Sequence, residues 1–395
     1  MNPLWLSHFT ATSSIGRGLD QTLSALKEQR SGLSPCTFDT VDLKTFVGEV
    51  AGLDYVNLPT QFSEYDCRNN RLAWLGLMQD GFDESVRAAI KKYGRQRIGV
   101  FLGTSTSGIF QTELAYRYRD PETGTLPAGF VYRTTHNTYS VVDFVHRYFD
   151  LSGPAVAVSS ACSSSAKVFS SARRMMEAGL IDAALVGGVD SLCLTTLYGF
   201  SSLGLLSEQP CRPYDAERNG LSIGEAAAFA LLEKAPQSCD GIMLLGIGES
   251  SDAYHMSSPH PEGLGAKIAM QDALTMAGLA PSDIDYINLH GTATPSNDAA
   301  EGLAVHALFG QDTPCSSIKG ATGHTLGAAG GIEAVISALS LQHGFMPGGL
   351  NTKQIDPALN LDYLLQSREQ KIQRVLSNSF GFGGTNCTLI LGRIA

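Results

Sequence analysis

The chain has 395 residues, of which 43% are hydrophobic, so it can bury a large core in one big domain or two fused ones. Its formal net charge of −10 argues against a general nucleic-acid binder, whose affinity depends on neutralising phosphates. No stretch approaches the roughly 18–20 apolar residues of a membrane-spanning helix, and the N-terminal residues do not have the pattern of a signal peptide. Eight scattered cysteines, without a CxxC pair or zinc-site spacing, fit a reduced, cytoplasmic protein.

Strands and helices are predicted to alternate along the first half of the chain. Short apolar runs bounded by Gly, Pro and Asp indicate strands, and apolar residues at steps of three or four indicate helices. These patterns predict strands at 4–10, 97–103, 154–158, 183–188 and at the end of 221–234, with helices at 19–29, 66–78 and 166–179.

The same pattern starts again after residue 240. It predicts strands at 241–248, 284–289, 314–318, 374–377 and 387–392, a helix at 266–276, and a helix that follows the turn 319–324 and runs through 336. FLGTSTS corresponds to NLHGTAT, and IGEAAAFALL corresponds to FGGTNCTLIL. We therefore predict an α/β protein built from a repeated unit, with domains 1–236 and 237–395 joined near 235–240. Two such units packed face to face would place their strand-end loops at one seam, where α/β sites usually lie.

Cys162 occupies a turn between a predicted strand and a predicted helix. Residues 159–165 are all small, so the side chains beside the sulfur are too short to bury it. The first N–H groups of the helix would point at the sulfur, and their partial positive charge favours the thiolate. This position suits a nucleophile. The alternative is that Cys162 is a small core hydrophobe, as free cysteines often are.

Two histidines and a lysine follow strands at the same predicted seam. His290 ends a strand in a Gly-Thr turn, and His324 follows Lys319 in a turn rich in Gly and Ala. A lone histidine is more often structural, but one cysteine and two histidines on such turns favour a catalytic cluster. Lys319 is either a solvated surface lysine or a partly buried one, with Glu333 on the next helix as its partner. The run FGFGG at 380–384 is either a flexible loop or a point of close backbone approach to a ligand.

Six motifs carry a family resemblance that spans nearly the whole chain in the right order. They are SSACSSSA, CRPYDAERNGLSIGEAA, SSDAYHMSSPHP, NLHGTATP, SSIKGATGHTLGAAGGIEA and SNSFGFGGTN. Together they resemble the β-ketoacyl-acyl carrier protein synthases, in particular the elongating, Cys-His-His members of the thiolase superfamily. The resemblance implies a thiolase-like α/β fold with two pseudo-symmetric halves in an α-β-α-β-α arrangement.

The resemblance also implies a reaction. Cys162 would accept an acyl chain from acyl carrier protein, and its N–H and that of Phe382 would form the oxyanion hole. Malonyl-acyl carrier protein would then lose CO2, while His290 and His324 stabilise the enolate that attacks the acyl-cysteine. The product would be a 3-ketoacyl chain two carbons longer, in fatty-acid or fatty-acid-like polyketide or polyene synthesis.

Supporting roles follow from the same resemblance. Lys319, paired with Glu333, would maintain the local charge and the geometry of the active site. Phe382 would act as a gate that moves when Cys162 is acylated. Arg68 and Arg71 would dock the acidic carrier protein. The substrates would be carried on phosphopantetheine, with no cofactor or metal in the protein, and the chain would form a homodimer or a heterodimer with a subunit similar to a chain-length factor.

Substrate choice would depend on an acyl tunnel that the resemblance assigns to Thr106, Ser107, Phe200 and Phe380. The loop 104–108 is hydroxylated where relatives often have Gly and Ile, and residues 131–138, expected at the dimer interface and tunnel end, include polar side chains. The segment 203–211 is shorter than in housekeeping relatives. These departures indicate a specialised synthase that accepts a polyene or another polar-tolerant chain.

Four alternatives compete with this interpretation. A degradative thiolase would need a second cysteine, but Cys387 follows Asn386 inside the last predicted strand. An initiating synthase would have Asn where this chain has His324. A non-catalytic chain-length factor would lack the nucleophile, and a cysteine hydrolase would leave the second histidine and Lys319 unexplained.

Overall fold

The computed structural model describes residues 2–236 and 241–393, and its largest sheet has eleven strands in that part of the chain. Ten of them form a continuous path, in the order β8-β7-β9-β10-β6-β1-β5-β4-β2-β3, and Gly16–Arg17 pairs with the end of β1. The ten are β1 (Leu4–Ser13), β2 (Ile98–Gly103), β3 (Ala155–Val158), β4 (Ala183–Asp190), β5 (Ala226–Lys234), β6 (Ile242–Ser251), β7 (Tyr286–Asn288), β8 (Cys315–Ser316), β9 (Arg374–Gly381) and β10 (Thr385–Arg393).

Strands β6–β10 repeat the arrangement of β1–β5. β2 is parallel to β3 and β4, and β7 is equally parallel to β8 and β9. β5 runs antiparallel between β4 and β1, as β10 does between β9 and β6. The halves join where Leu4–Leu6 of β1 pairs with Ile242–Leu244 of β6. The predicted repeat of two pseudo-symmetric halves is confirmed.

Helices pack on both sides of the sheet and complete a five-layer arrangement. The helices of the described residues are α1 (Leu19–Lys27), α2 (Arg68–Leu77), α3 (Phe82–Tyr93), α4 (Ile109–Arg117), α5 (Ser140–Tyr148), α6 (Ser164–Glu177), α7 (Leu194–Ser202), α8 (Leu264–Ala277), α9 (Pro295–Phe309), α10 (Lys319–Thr322) and α11 (Ala329–His343). α6 and α11 pack against each other between the two halves. α2, α3 and α5 cover the outside of the first half, and α8 and α9 cover the second. This is the α-β-α-β-α arrangement of the prediction.

Short elements connect these layers. Ser34–Pro35, Phe46–Gly48 and Ile223–Gly224 form a three-stranded sheet, and Phe345–Met346 pairs with Arg368–Glu369. Short 3₁₀ turns lie at Leu53–Tyr55, Thr60–Tyr65, Arg95–Arg97, Pro281–Asp283, Leu326–Ala328 and Phe382–Gly384. Among the described residues, no helix is long and apolar enough to cross a membrane. The domain boundary at 236/237 stays a prediction, and residues 237–240 of the predicted join lie outside the described residues.

The predicted turn at 319–324 and the helix after it differ in detail from the structure. Lys319–Thr322 form the short helix α10 within the predicted turn, and the predicted helix through 336 begins only at Ala329, as α11. Gly323 and Leu326 have φ angles of 73° and 54°, a left-handed backbone that a continuous helix excludes. The interruption places His324 in the turn between α10 and α11.

Two glycines let α6 lie close against the sheet. A Cβ at Gly103, the last residue of β2, would be 2.3 Å from the backbone nitrogen of Ser165. A Cβ at Gly188 in β4 would be 2.5 Å from Cβ of the same serine. Because Ser165 lies one turn from Cys162, these contacts set where the turn that contains Cys162 meets the sheet.

We expect Gly103→Ala to destabilise the fold by about 1–3 kcal/mol, because the added methyl group meets backbone atoms that cannot turn aside. Gly199→Ala is the matched control, since a Cβ there meets nothing within 4 Å. It should leave stability unchanged or raise it by up to about 1 kcal/mol, since Ala is the better helix former. Urea unfolding midpoints measure both variants, and equal midpoints would contradict the packing argument.

Candidate active site

Cys162 lies in a sharp turn between β3 and α6. Ala161 has a φ of 52°, and Ser164 Oγ donates to its carbonyl at 2.5 Å, which holds the turn closed. Gly381, the last residue of β9, lies beside the turn, and a Cβ there would be 3.1 Å from the Cys162 nitrogen. The thiol side chain is buried and faces the second half of the molecule.

His324 points its Nε2 at the Cys162 sulfur. The distance from His324 Nε2 to Cys162 Sγ is 3.1 Å. On the other side of the ring, the Leu326 N–H donates to His324 Nδ1 at 3.1 Å. Since Nδ1 accepts a hydrogen bond, the proton of the neutral ring is on Nε2. His324 therefore donates a hydrogen bond toward the sulfur.

His290 has the same tautomer for a different reason. Its Nδ1 lies 3.3 Å from Lys319 Nζ, and an ammonium group can only donate. The proton of the neutral ring is therefore on Nε2. The rings of His290 and His324 are perpendicular, with centroids 5.3 Å apart, so both present an N–H to the same small space.

Lys319 is buried and fully engaged. Its ammonium group forms an ion pair with Glu333 of α11 and donates to the backbone carbonyl of His290. Glu333 also accepts from Ser379 Oγ at 3.3 Å. The sequence left open whether Lys319 is a solvated surface lysine or a partly buried partner of Glu333, and its position agrees with the buried alternative.

Burial and charge keep both histidines neutral. Desolvation, followed by the positive charge of Lys319, lowers the pKa of His290 and of His324 well below 6.5. The site therefore offers two uncharged N–H donors at neutral pH.

Burial opposes ionisation of the Cys162 thiol. Burial raises the pKa of Cys162 to about 12, although the charge of Lys319 and the backbone N–H of Phe382, which is bonded to the thiol, act in the opposite direction. Desolvation of the charged form is the larger effect, and the prediction that the helix N–H groups favour the thiolate stays a prediction. The Phe382 N–H is one of the two donors of the predicted oxyanion hole, and that role stays a prediction.

Two buried carboxylates, which the sequence alone did not reveal, accept hydrogen bonds from the backbone of the site. Glu301 of α9 accepts the backbone N–H groups of His290 and Gly291, each at 2.8 Å. Asp190, the last residue of β4, accepts from the loop after β2 and from the turn after His324. An acidic residue within an otherwise apolar strand or an Ala-rich helix was the available signal, and it did not by itself identify a partner.

A cavity opens onto the cysteine and the two histidines. Three phenylalanines, Phe200, Phe380 and Phe382, lie in its wall, and the rings of Phe200 and Phe382 are 5.5 Å apart. Thr106 and Ser107 do not line this cavity. The Thr106 hydroxyl is bonded to Asp190 and the Ser107 hydroxyl to the backbone of Asn137, both at 2.8 Å, so their part in a tunnel stays a prediction.

The predicted docking role of Arg68 is wrong. Its guanidinium group is buried and binds Glu225 through two hydrogen bonds of 2.9 and 2.7 Å, with further bonds to Asp54 and Glu49. A cation enclosed in this way cannot reach a carrier protein. Arg71 is more exposed and pairs with Asp66 at 2.6 Å, and its docking role stays a prediction.

The sulfur and the histidine nitrogens lie within 4.8 Å of one another, a spacing that could suit a metal ion. However, Lys319 and the Leu326 N–H occupy the Nδ1 atoms of His290 and His324, so both Nε2 atoms carry protons. Such a set of donors suits a negatively charged oxygen or sulfur rather than a cation.

The family models decide the relationship. The model described as Beta-ketoacyl synthase, N-terminal domain, matches residues 9–238, and that described as Beta-ketoacyl synthase, C-terminal domain, matches residues 242–353. The chain belongs to the β-ketoacyl synthase family. Its members are acyl-transferring condensing enzymes, and this β-ketoacyl synthase is one of them. The resemblance identified from the six motifs is confirmed.

Curated relatives and solved structures agree with the assignment to the β-ketoacyl synthase family. The mitochondrial 3-oxoacyl-[acyl-carrier-protein] synthase of Arabidopsis thaliana is 32% identical, covering 96% of this chain and 91% of its own length. 3-oxoacyl-[acyl-carrier-protein] synthase 2 of Coxiella burnetii is also 32% identical, with 97% and 96% covered. A ketosynthase from Xenorhabdus doucetiae, solved in complex with its chain length factor, is 39% identical with a TM-score of 0.90, covering 100% of this chain and 98% of that one.

Arg68→Ala should destabilise this β-ketoacyl synthase by about 3–5 kcal/mol, because it leaves Glu225 as an unpaired buried charge. Arg71→Ala is the matched control on the same helix, and losing its more exposed ion pair should cost less than about 1 kcal/mol. Chemical unfolding of the two variants measures the difference. A small loss for Arg68→Ala would show that the buried pair does not hold α2 in place.

Alkylation of Cys162 by iodoacetamide should accelerate with pH. Because burial raises the pKa of Cys162 to about 12, the reactive thiolate fraction is small at neutral pH. It should grow by about tenfold for each pH unit between 7 and 9. Intact mass measures the rate of alkylation, and the Cys162→Ala variant shows how much of it comes from the other cysteines. A plateau below pH 8 would indicate a resting thiolate instead.

Proposed function

We propose that this β-ketoacyl synthase elongates acyl chains by decarboxylative condensation of acyl-Cys162 with malonyl-acyl carrier protein. The observation that carries the proposal is the pair of neutral Nε2–H donors, His290 and His324, aimed into a buried space beside the Cys162 sulfur. A cysteine nucleophile needs only one histidine. A second uncharged donor is useful where negative charge develops on a substrate oxygen.

In the first half-reaction, Cys162 Sγ attacks the thioester carbonyl of the acyl carrier substrate. The carbon–sulfur bond to phosphopantetheine breaks, the acyl group stays on Cys162, and the thiol proton passes to the departing phosphopantetheine sulfur. The backbone N–H groups of Cys162 and Phe382 would stabilise the tetrahedral oxyanion. The hydrogen bond from the Phe382 N–H to the resting thiol supports this assignment.

In the second half-reaction, the malonyl carboxylate leaves as CO2 and its electron pair forms an enolate. Hydrogen bonds from His290 and His324 would stabilise the enolate oxygen, since a negative charge in a dry site needs donors that are already in position. The enolate carbon attacks the acyl thioester and expels the Cys162 sulfur, which takes up one proton. The product is a 3-ketoacyl chain lengthened by two carbons.

The other assigned residues would support these steps. Lys319, neutralised by Glu333, would hold His290 in its donating tautomer, as its contact with Nδ1 suggests. Phe382 lies between glycines in the cavity wall, where it could gate access to the acylated cysteine. We assign no metal or bound cofactor to the reaction, because the substrates bring their own phosphopantetheine.

We infer that its partners are acyl carrier protein and a second subunit similar to a chain-length factor. The Xenorhabdus doucetiae ketosynthase, 39% identical, was solved with a chain length factor, and the ishigamide ketosynthase/chain length factor structure, 25% identical, has a TM-score of 0.90. These neighbours favour the heterodimer over the homodimer. A specialised pathway, making a polyene or another polar-tolerant chain, fits the hydroxylated loop 104–108. A cytoplasmic location agrees with the seven free cysteines among the described residues.

Intact mass tests the nucleophile. Incubation with acyl carrier proteins loaded with saturated or unsaturated primers should add one acyl group to the wild type and none to Cys162→Ala. Malonyl-acyl carrier protein should then discharge the label as a 3-ketoacyl product.

Variants of the two histidines distinguish the acylation half-reaction from the decarboxylation half-reaction. His290→Ala and His324→Ala should each slow decarboxylation of malonyl-acyl carrier protein by about 10²–10³-fold, the usual cost of losing an oxyanion donor. Acylation of Cys162 should be less affected. If no primer labels Cys162 with a partner subunit present, condensation fails as the function, and the chain-length-factor role becomes the better explanation.

A further inference from the structure

Asp190 is a fully buried carboxylate that no step above uses. It accepts hydrogen bonds from the hydroxyls of Thr104 at 2.7 Å and Thr106 at 2.8 Å, and from the backbone N–H groups of Ser105 and Thr106, both at 2.8 Å. A further bond comes from the Gly327 N–H. Every one of these groups is a donor, so the carboxylate is completely satisfied without a cation.

Asp190 accepts hydrogen bonds from both halves of the molecule. Oδ1 accepts those of the loop after β2, whereas Oδ2 accepts the Gly327 N–H, 137 residues further along the chain, and a longer bond of 3.0 Å from the Ser105 N–H. The first half thereby holds the turn that follows His324 in the second half. The side chain acts across the seam at which the reactive groups meet.

Leu326 connects this bond to the histidine. Its φ of 54° lies in the left-handed region, which residues with a side chain rarely adopt unless their surroundings impose it. Its own N–H donates to His324 Nδ1, and the N–H of the next residue, Gly327, donates to Asp190. Two consecutive N–H groups are therefore held in the directions that this backbone conformation gives them.

Gly327 shows how close the contact is. A Cβ at this position would lie 2.7 Å from Asp190 Oδ2 and 2.7 Å from Ser105 Oγ. A side chain here would push the carboxylate away from the turn. The glycine is required by the approach of Asp190, since its backbone does not have a positive φ.

We propose that Asp190 is a positioning residue: by holding the Gly327 N–H, it fixes Leu326 in the conformation whose own N–H keeps His324 protonated on Nε2. Without this acceptor the turn relaxes, the Leu326 N–H leaves Nδ1, and the ring populates both tautomers. Only the consequence for decarboxylation rests on the proposed function.

The test is the tautomer of His324 in the folded protein, read from ¹⁵N shifts of histidine-labelled samples and assigned with His324→Gln. In Asp190→Asn the amide oxygen can still accept the hydrogen bonds of the loop after β2. The NH2 group of the asparagine cannot accept the Gly327 N–H. We expect the wild type to be the pure Nε2–H tautomer and Asp190→Asn to be a mixture. Decarboxylation of malonyl-acyl carrier protein should fall by about tenfold or more in this variant.

Three further variants complete the design. Gly327→Ala should reproduce the mixture. Thr104→Val removes a donor to Asp190 and the acceptor of the Ser107 N–H, but it leaves the Gly327 bond in place, so it should keep the wild-type tautomer. Asp215→Asn is the control for loss of a buried carboxylate, because Asp215 likewise accepts backbone N–H groups, those of Glu217, Lys353 and Gln354. It should change neither the tautomer nor the decarboxylation rate.

A pure Nε2–H ring in folded Asp190→Asn or Gly327→Ala would overturn the proposal, as would a mixture in the wild type. If neither variant folds, Asp190 is a structural residue and the positioning role is equally overturned. A wild type with the expected tautomer that never decarboxylates malonyl-acyl carrier protein would instead refute the proposed function and leave the positioning role standing.

Discussion

The buried ammonium group of Lys319 is the charge on which the site depends. An isolated cation in such surroundings would cost several kcal/mol, so its partners must be in place before the fold is stable. Those partners are Glu333 on α11, and the carbonyl and Nδ1 of His290 at the end of β7. Lys319 thus joins α10 to α11 and sets the tautomer of His290. Desolvation and then its positive charge lower the pKa of both histidines.

The site exists only where the two halves meet. Cys162 comes from the first half, and His290, His324 and Phe382 come from the second. Contact between α6 and α11 brings them together, and glycines in the sheet let α6 approach closely. The result is a thiol facing uncharged donors in a buried space. Such an arrangement stabilises a transient negative charge without holding a permanent one, since the histidines are neutral before the substrate arrives.

The sequence predictions failed where a partner lies far along the chain. Arg68 has the exposed pattern of a basic residue near a helix start, but its carboxylate partner Glu225 is 157 residues away. The helix after 319–324 has suitable composition throughout, yet packing against the first half imposes the left-handed turn at Leu326. The same holds for Cys162, whose small neighbours suggested exposure until the second half covered it.

What the sequence determined by itself is the local chemistry: the alternation of strands and helices, the repeat, and turns that end in Cys162, His290 and His324. These depend on apolar periodicity, small residues and glycine, which act over a few positions. Only the tertiary structure decided which nitrogen of each ring carries the proton, which charges are buried, and which carboxylates hold the turns. Those properties depend on hydrogen bonds and desolvation between segments that fold together from opposite halves of the chain.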